Sequence, residues 1–263
     1  MCIRDSSITI HDSDNESSEF WNDVGIPNER IYKFGSEDNW WGPAGSEGPC
    51  GPCSELHYDM GPDFPACELD SCGPNCETVI NENGDKCEKF VELWNLVFMQ
   101  FYQDEEGNRK LLPAPSVDTG MGLERLAMAI KSLKSTYDID LFYPIIKSLE
   151  KISNLKYDSD EKIDIAFRVI CDHIRAIVFT ISDGAIPSNN KSGYVVRRIL
   201  RRAVRYGYSS LKLKSPFLYK LADAVITEYK KVFNNLFDQK DFIKSVIKAV
   251  SYTHLTLPTN REV

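Results

Sequence analysis

Asn95, Val97 and Asp118 have the residue types and spacing from which a small-molecule site can be built. Phe90 to Tyr102 (FVELWNLVFMQFY) is aromatic and β-branched and holds no Gly or Pro, which is the pattern of a buried strand. Side chains alternate along a strand, so Asn95 and Val97 share a face with Leu93 and Met99. A polar Asn among apolar neighbours must find hydrogen-bond partners or cost stability. Two readings stand. Asn95 ties down a neighbouring loop, or it orients a ligand in a pocket walled by Val97, with Asp118 as the counter-charge for an ammonium group. An apolar cage with one carboxylate suits a small amino acid.

The carboxylate sits in SVDTGMGLER, residues 116–125. Asp118-Thr119 reads as a helix entry, and Gly120 and Gly122 let another group approach the backbone where free N–H groups favour an anion. Arg125 falls about one turn into the helix, able to reach a phosphate or stack on a base. An ordinary glycine-entry helix with Glu124 and Arg125 solvated fits the same segment.

A second group of residues suits a polyanion. In YVVRRILRRAVRY, residues 194–206, Arg197, Arg198, Arg201, Arg202 and Arg205 fall within a helical arc of about 140°. Val195, Val196, Ile199, Leu200, Ala203 and Val204 fill the opposite half. A solvated charged face is the plain reading, but residues 191–220 hold nine Lys or Arg and no acid. Five arginines without acidic partners favour a nucleic acid. The whole chain is asymmetric in the same sense: residues 1–120 carry 24 acids against 7 bases, and 121–263 carry 15 against 24.

Cysteines form the third group. Cys50 and Cys53 have the Cys-x2-Cys spacing of metal ligands, with His57 close by. Cys67, Cys72, Cys76 and Cys87 lie in a polar loop whose Gly73-Pro74 marks a turn, and four thiols there suit a tetrahedral structural Zn²⁺. Free, reduced thiols are the alternative for both sets, and cysteines in loops of an enzyme-like chain favour a cytosolic setting. Among the histidines, His173 reads as packed and hydrogen-bonded beside Asp172 and Arg175, while His11 and His57 show no compelling partner set.

The elements that must hold these groups follow from periodicity and turn chemistry. Residues 19–34 read as a helix closed by Gly25 and then a short strand. Asp38 to Pro65 is dense in Gly and Pro and reads as irregular. Gly107-Asn108 marks a hairpin after the central strand, with Lys110 to Ala114 as the returning strand. Helical patterns follow over 119–133, 138–152, 161–181, 193–208 and 216–233. This is an α+β chain, an antiparallel sheet first and a helical region after it. Its 42% hydrophobic and 27% charged residues suffice for one or two globular domains, and no apolar run approaches the ~20 residues that span a bilayer.

The strings NWWGPAG, GPCGPCSELHYD, FVELWNLVFMQF, PSVDTGMGLER, STYDIDLF, DHIR, SDGAIPSN and GYVVRRILRRAVRYG, in that order, resemble the alanyl-tRNA synthetase family over about residues 11–235. The resemblance implies the C-terminal half of a class II synthetase antiparallel-sheet catalytic domain followed by a helical tRNA-recognition domain. GMGLER resembles the third signature motif of class II enzymes, which implies ATP binding by Arg125 with Gly120 and Gly122. The family's alanine pocket carries over to Trp41, Asn95, Val97, Asp118 and Gly120, with Asp118 pairing with the α-amino group. The implied substrates are L-alanine, ATP with Mg²⁺, and the acceptor stem of tRNA(Ala). That stem would be met by the five arginines and by Asn189 of PSNNKSGY, an amide able to read its identity pair.

No covalent nucleophile or acid–base residue is expected, since adenylation needs positioning and charge stabilisation. The family's first and second motifs lie upstream of everything matched, so the chain alone is expected to be inactive. A non-catalytic, zinc-containing tRNA- or RNA-binding protein is the competing reading. A cytoplasmic location and no membrane association go with either.

Both ends carry an oddity. Met1 to Asp5 (MCIRD) and Val250 to His254 (VSYTH) can be encoded by complementary strands of one DNA string, as a read-through adapter would produce. The expected division is therefore a scar over 1–6 and a partial catalytic domain over 7–135, with a Cys-rich loop at 67–87 and the signature at 120–125. A helical tRNA-recognition region over 136–249 and a second scar over 250–263 complete it.

Overall fold

A computed structural model describes residues 6–61, 64, 67, 69, 72–80, 84 and 86–256. The chain forms two units, Met1–Thr136 and Tyr137–Val263. Of the two complementary terminal strings, Met1 to Asp5 lies outside the described residues.

The first unit is built on one sheet. Its strands are β1 (Ser6–His11), β2 (Ile31–Phe34), β3 (Trp40–Trp41), β4 (Gly48–Asp59), β5 (Phe90–Gln103) and β6 (Arg109–Met121). The spatial order is β2-β1-β4-β5-β6, with β3 paired to β4. Among the described residues only β1 and β2 run parallel; the other paired strands are antiparallel. Helix α1 (Asn15–Asp23) starts earlier than its sequence pattern suggests, because the Asp14 carboxylate accepts from Ser17 N at 3.0 Å and caps it.

Alternation along β1 gives the sheet two unlike faces. Ile8 and Ile10 point to one side, where they pack with Ile26, Leu56, Leu93 and Ala129 as the apolar core. Ser7, Thr9 and His11 point to the other, and all six β1 residues are buried. Leu93 therefore does not share a face with Asn95: a register shift between Leu56 and His57 on β4 inserts one extra residue on β5 and turns Leu93 into the apolar core.

Two strands depart from the sequence expectation. The stretch from Asp38 to Pro65 contains β4, a 12-residue strand, rather than irregular chain. One of its two glycines marks close packing: a Cβ on Gly51 would stand 1.8 Å from the carbonyl oxygen of Phe98. Strand β6 continues to Met121, well beyond Ala114, so Asp118, Thr119 and Gly120 lie in sheet and not at a helix entry. Pairing with β5 holds them extended, and α2 (Leu123–Ile130) begins only after Gly122.

The second unit is helical: α3 (Tyr143–Ser153), α4 (Glu161–Ser182), α5 (Lys191–Ser209), α6 (Leu218–Tyr229), α7 (Asn234–Asp238) and α8 (Lys240–Thr256). Asp160 caps α4 by accepting from Lys162 N and Ile163 N. The stripe Phe167, Ile170, Ile174, Ile177, Val178 and Ile181 makes α4 the buried axis. Val250 to His254 lies within α8, where Ser251 is buried and donates to Ile247 O at 2.7 Å. No helix among the described residues is long and apolar enough to cross a membrane.

Candidate functional site

The β5–β6 hairpin sets the geometry of the predicted pocket. Asp104 N donates to Asn108 O and Gly107 takes φ +86°, closing the turn that the Gly-Asn pair predicts. The resulting register places Val97 opposite Asp118 and Asn95 opposite Gly120. Directly paired residues point to the same side of a sheet, so all four share one face. Asn95 and Asp118 are diagonal neighbours, about 7–8 Å apart for such positions. Val97 is buried, whereas Asp118 and Gly120 on the edge strand are exposed. A Cβ on Gly120 would meet nothing within 4 Å, so space lies open opposite Asn95.

A buried polar network on β4 and β1 supports this face, and only the alternation Cys53, Glu55, His57 hints at it in the sequence. Asn95 Nδ2 donates to Glu55 Oε1 at 2.9 Å. Thr9 Oγ1 donates to Glu55 Oε2 at 3.2 Å and accepts from Asn39 Nδ2 at 2.9 Å. His57 Nε2 lies 3.2 Å from the same carboxylate oxygen. His57 thus has a partner set after all, and so does His11, which is held between Ser13 and Ser36 at 2.8 and 3.0 Å. Asn95 Oδ1 is buried without a partner among the described residues. Its amide is therefore fixed at the nitrogen and left without a partner at the buried oxygen.

Both cysteines of the strand are buried free thiols. Burial, and then the nearby Glu55 charge, push the Cys53 thiol up to about 12. Burial also raises Cys50 against the opposing pull of Arg109.

Arg125 is the third residue of α2 and donates through Nη1 to Glu92 O at 2.9 Å and Glu92 Oε2 at 3.2 Å. Half of its side chain is exposed. Glu92 is paired with His57, so Arg125 is drawn to the edge of the same network. The N–H of Gly122 is not free for an anion, because it donates to Leu93 O at 3.0 Å. Trp41 is exposed on β3 opposite Gly51. Its neighbour Trp40 is clasped between His11, Phe101 and the Arg109 guanidinium, which stands 4.0 Å above its ring.

On α5, Arg198, Arg201, Arg202 and Arg205 are exposed, and Arg197 is half-buried. Among the described residues none of the five enters an ion pair. Arg198 lies over Tyr194 and Arg202 over Tyr206, at 5.9 and 6.0 Å from the ring centres. Arg197 Nη1 donates to Asn189 Oδ1, and Asn189 is exposed. The apolar half of the helix is less complete than its pattern suggests, since Val195 is 53% exposed. His173 meets its expectation: it lies 3.2 Å from Asp172 and, by that bond, holds the Asp172 carboxyl below its usual range.

The four loop cysteines converge. The sulfurs of Cys67, Cys72, Cys76 and Cys87 all lie within 4.8 Å of one another. Cys50, Cys53 and His57 form no such group among the described residues.

Residues 4–255 match the family model described as tRNA synthetases class II (A), and the chain belongs to this family of class II tRNA synthetases. Alanine–tRNA ligases are among its relatives. It is similar to those of Dehalococcoides mccartyi (45% identity over 240 residues, 91% of this chain and 26% of that protein) and Cytophaga hutchinsonii (48% over 235 residues, 89% and 26%). The likeness to the alanine–tRNA ligase of Alkaliphilus oremlandii is 45% over 241 residues. The chain spans 26% of the length of these curated relatives.

Proposed function

We propose that this chain carries the alanine pocket, part of the ATP site and the tRNA-binding helix of an alanine–tRNA ligase. The observation that carries the reading is the orphaned Oδ1 of Asn95, an acceptor facing the same side as the Asp118 carboxylate. A buried acceptor without a donor costs about 1–3 kcal/mol, which an incoming ammonium group offsets. Alanine's ammonium then bonds Asn95 Oδ1 and Asp118, and its methyl group rests on Val97. The open volume at Gly120 admits the Cα, and Trp41 closes the far side.

ATP enters as its Mg²⁺ complex. An oxygen of the alanine carboxylate attacks the α-phosphorus in line, the bond to the bridging oxygen breaks, and pyrophosphate leaves. Arg125, released from Glu92, meets phosphate charge, with Gly120 and Gly122 leaving room for the nucleotide. The alanyl group then passes from the adenylate to a hydroxyl at the 3′ end of tRNA(Ala), releasing AMP. No side chain serves as nucleophile, so rate comes from alignment and charge. Arg197, Arg198, Arg201, Arg202 and Arg205 neutralise acceptor-stem phosphates, and Asn189 reads its identity base pair. This reading implies a cytoplasmic protein.

The test is alanine-dependent pyrophosphate exchange into ATP by the full-length protein carrying this sequence. Asp118→Asn should abolish exchange and leave tRNA binding intact; unchanged exchange refutes the pocket. A protein that only binds RNA would show no exchange even unsubstituted.

A further inference from the structure

The 30 residues from Met60 to Lys89 join β4 to β5 with little apolar substance. Among the described residues of this connection only Phe64, Gly73 and Pro74 are buried. Yet it brings four cysteines together from separate turns. Cys72 N donates to Leu69 O at 3.0 Å, and an isolated antiparallel bridge pairs Val79 with Lys86 while Cys87 N donates to Thr78 O at 2.9 Å. The Cys67–Cys76 and Cys72–Cys87 sulfur pairs are each 3.6 Å apart.

Those separations have a chemical meaning. A disulfide joins sulfurs at about 2.05 Å, and all of these cysteines are free. Four thiolates around a tetrahedral Zn²⁺, each at about 2.3 Å, stand about 3.8 Å from one another. We propose that Cys67, Cys72, Cys76 and Cys87 bind one structural Zn²⁺ that fastens this connection to the sheet. An all-sulfur set is soft and favours zinc over magnesium or calcium, which take oxygen. Partners suited to thiolates are in place: Cys67 N–H donates to Cys87 Sγ at 3.4 Å, and Thr78 Oγ1 lies 3.3 Å from Cys76 Sγ.

The segment between two of the ligands shows what the ion secures. Gly73 lies so close to Tyr32 of β2 that a Cβ would stand 2.9 Å from the ring. Asn75 Nδ2 donates to Asp38 Oδ1 at 3.4 Å. Asp38 precedes Asn39, which bonds Thr9 in the network beneath Asn95. Metal binding supplies to such a loop the free energy that a core supplies elsewhere. The assignment rests on the sulfur geometry and is independent of the alanine pocket.

Metal analysis of the 263-residue chain, purified without chelator, should find about one zinc per chain. Exchange for Co²⁺ should give the intense sulfur-to-metal charge-transfer bands of a tetrathiolate site. Cys72→Ser should lose the ion and keep its far-ultraviolet circular dichroism; should that variant not fold, the cobalt spectrum of the unsubstituted chain decides. A chain without metal, one whose four loop thiols are consumed in two disulfides, one that carries iron, or a Cys72→Ser chain with full zinc would each overturn the proposal.

Discussion

Asn95 and Glu55 face each other across β5 and β4, and the 2.9 Å bond from Asn95 Nδ2 to Glu55 Oε1 decides which end of the amide is committed and which is left without a partner. An asparagine free to rotate would present donor and acceptor alternately. With its nitrogen committed to a carboxylate, Asn95 offers only an acceptor, the one group an ammonium ion can use. Glu55 is itself held by Thr9 and His57, so the orientation is fixed through three strands. On the proposed reading of the pocket, Glu55 is a positioning residue, two steps from the substrate.

Glu55→Gln tests that role. The substituted amide can turn its own nitrogen toward Asn95 and reverse the Asn95 side chain. Losing one well-oriented hydrogen bond of about 1.4 kcal/mol is tenfold in affinity. The KM for alanine should therefore rise about tenfold, with the KM for ATP unchanged. Steady-state pyrophosphate exchange distinguishes the cases: an equal rise in both constants would show general damage to the sheet.

Gly120 leads to a second prediction, of steric origin. An added Cβ there meets no atom within 4 Å, so folding tolerates a larger side chain. Valine also suits a strand. Gly120→Val should keep its melting temperature, with a stability change within about 0.5 kcal/mol. Its branched side chain would occupy the volume opposite Asn95 and reduce alanine-dependent exchange at least tenfold, by the ~1.4 kcal/mol that a modest clash costs. Thermal melts and exchange assays on the same preparation check both halves.

What the sequence made legible divides by the range of the interactions involved. β5 and its Gly-Asn turn were readable because alternation and turn chemistry are local. The face shared by Asn95, Val97 and Asp118 was half readable: β5 supplied two members, and the third needed the β6 register. β4 was not readable, because its Gly and Pro residues are turn formers in isolation, and only the approach of the Phe98 carbonyl explains Gly51. The strand character of Asp118 to Gly120 was hidden for a similar reason. Two glycines before LERLAMAI look like a helix entry, and the cross-strand ladder overrides them. Glu55, an acid in a strand, carries no local sign that its partners lie 46 residues before and 40 after it. The convergence of the loop cysteines was readable as composition and not as geometry, because their spacing is irregular.

The α5 face predicts a dependence on salt. Arg198 and Arg202 are exposed, lie four residues apart, and have no acidic partner among the described residues. Removing one arginine from its phosphate lowers the slope of log K against log salt by about 1. Arg198→Ala with Arg202→Ala should therefore weaken tRNA binding and flatten that slope by about 2. Alanine-dependent exchange, which needs no tRNA, should stay at its original rate. Filter binding over a range of potassium chloride provides the slopes, and identical values for both proteins would remove this helix from the RNA surface.

Gly193 joins the position of Asn189 to the packing of α5. It is buried in the first turn of the helix, and a Cβ there would stand 2.4 Å from the carbonyl oxygen of Ile186 and 2.3 Å from Ser188 Oγ. The serine can rotate, but the backbone oxygen cannot move without shifting the 186–190 segment. Ser188 N also donates to Gly193 O at 3.0 Å, so the segment and the helix are tied at this point. Gly193→Ala should cost about 1–3 kcal/mol, the usual penalty of overpacking. It should also displace Asn189 from the end of α5, where Arg197 holds it. Discrimination between tRNA(Ala) and a tRNA with a different acceptor-stem pair should fall more than total tRNA affinity does, because the arginines that supply most of the charge remain. Competition binding with the two tRNAs reads that ratio, and a Gly193→Ala protein that still discriminates fully would separate Asn189 from base recognition.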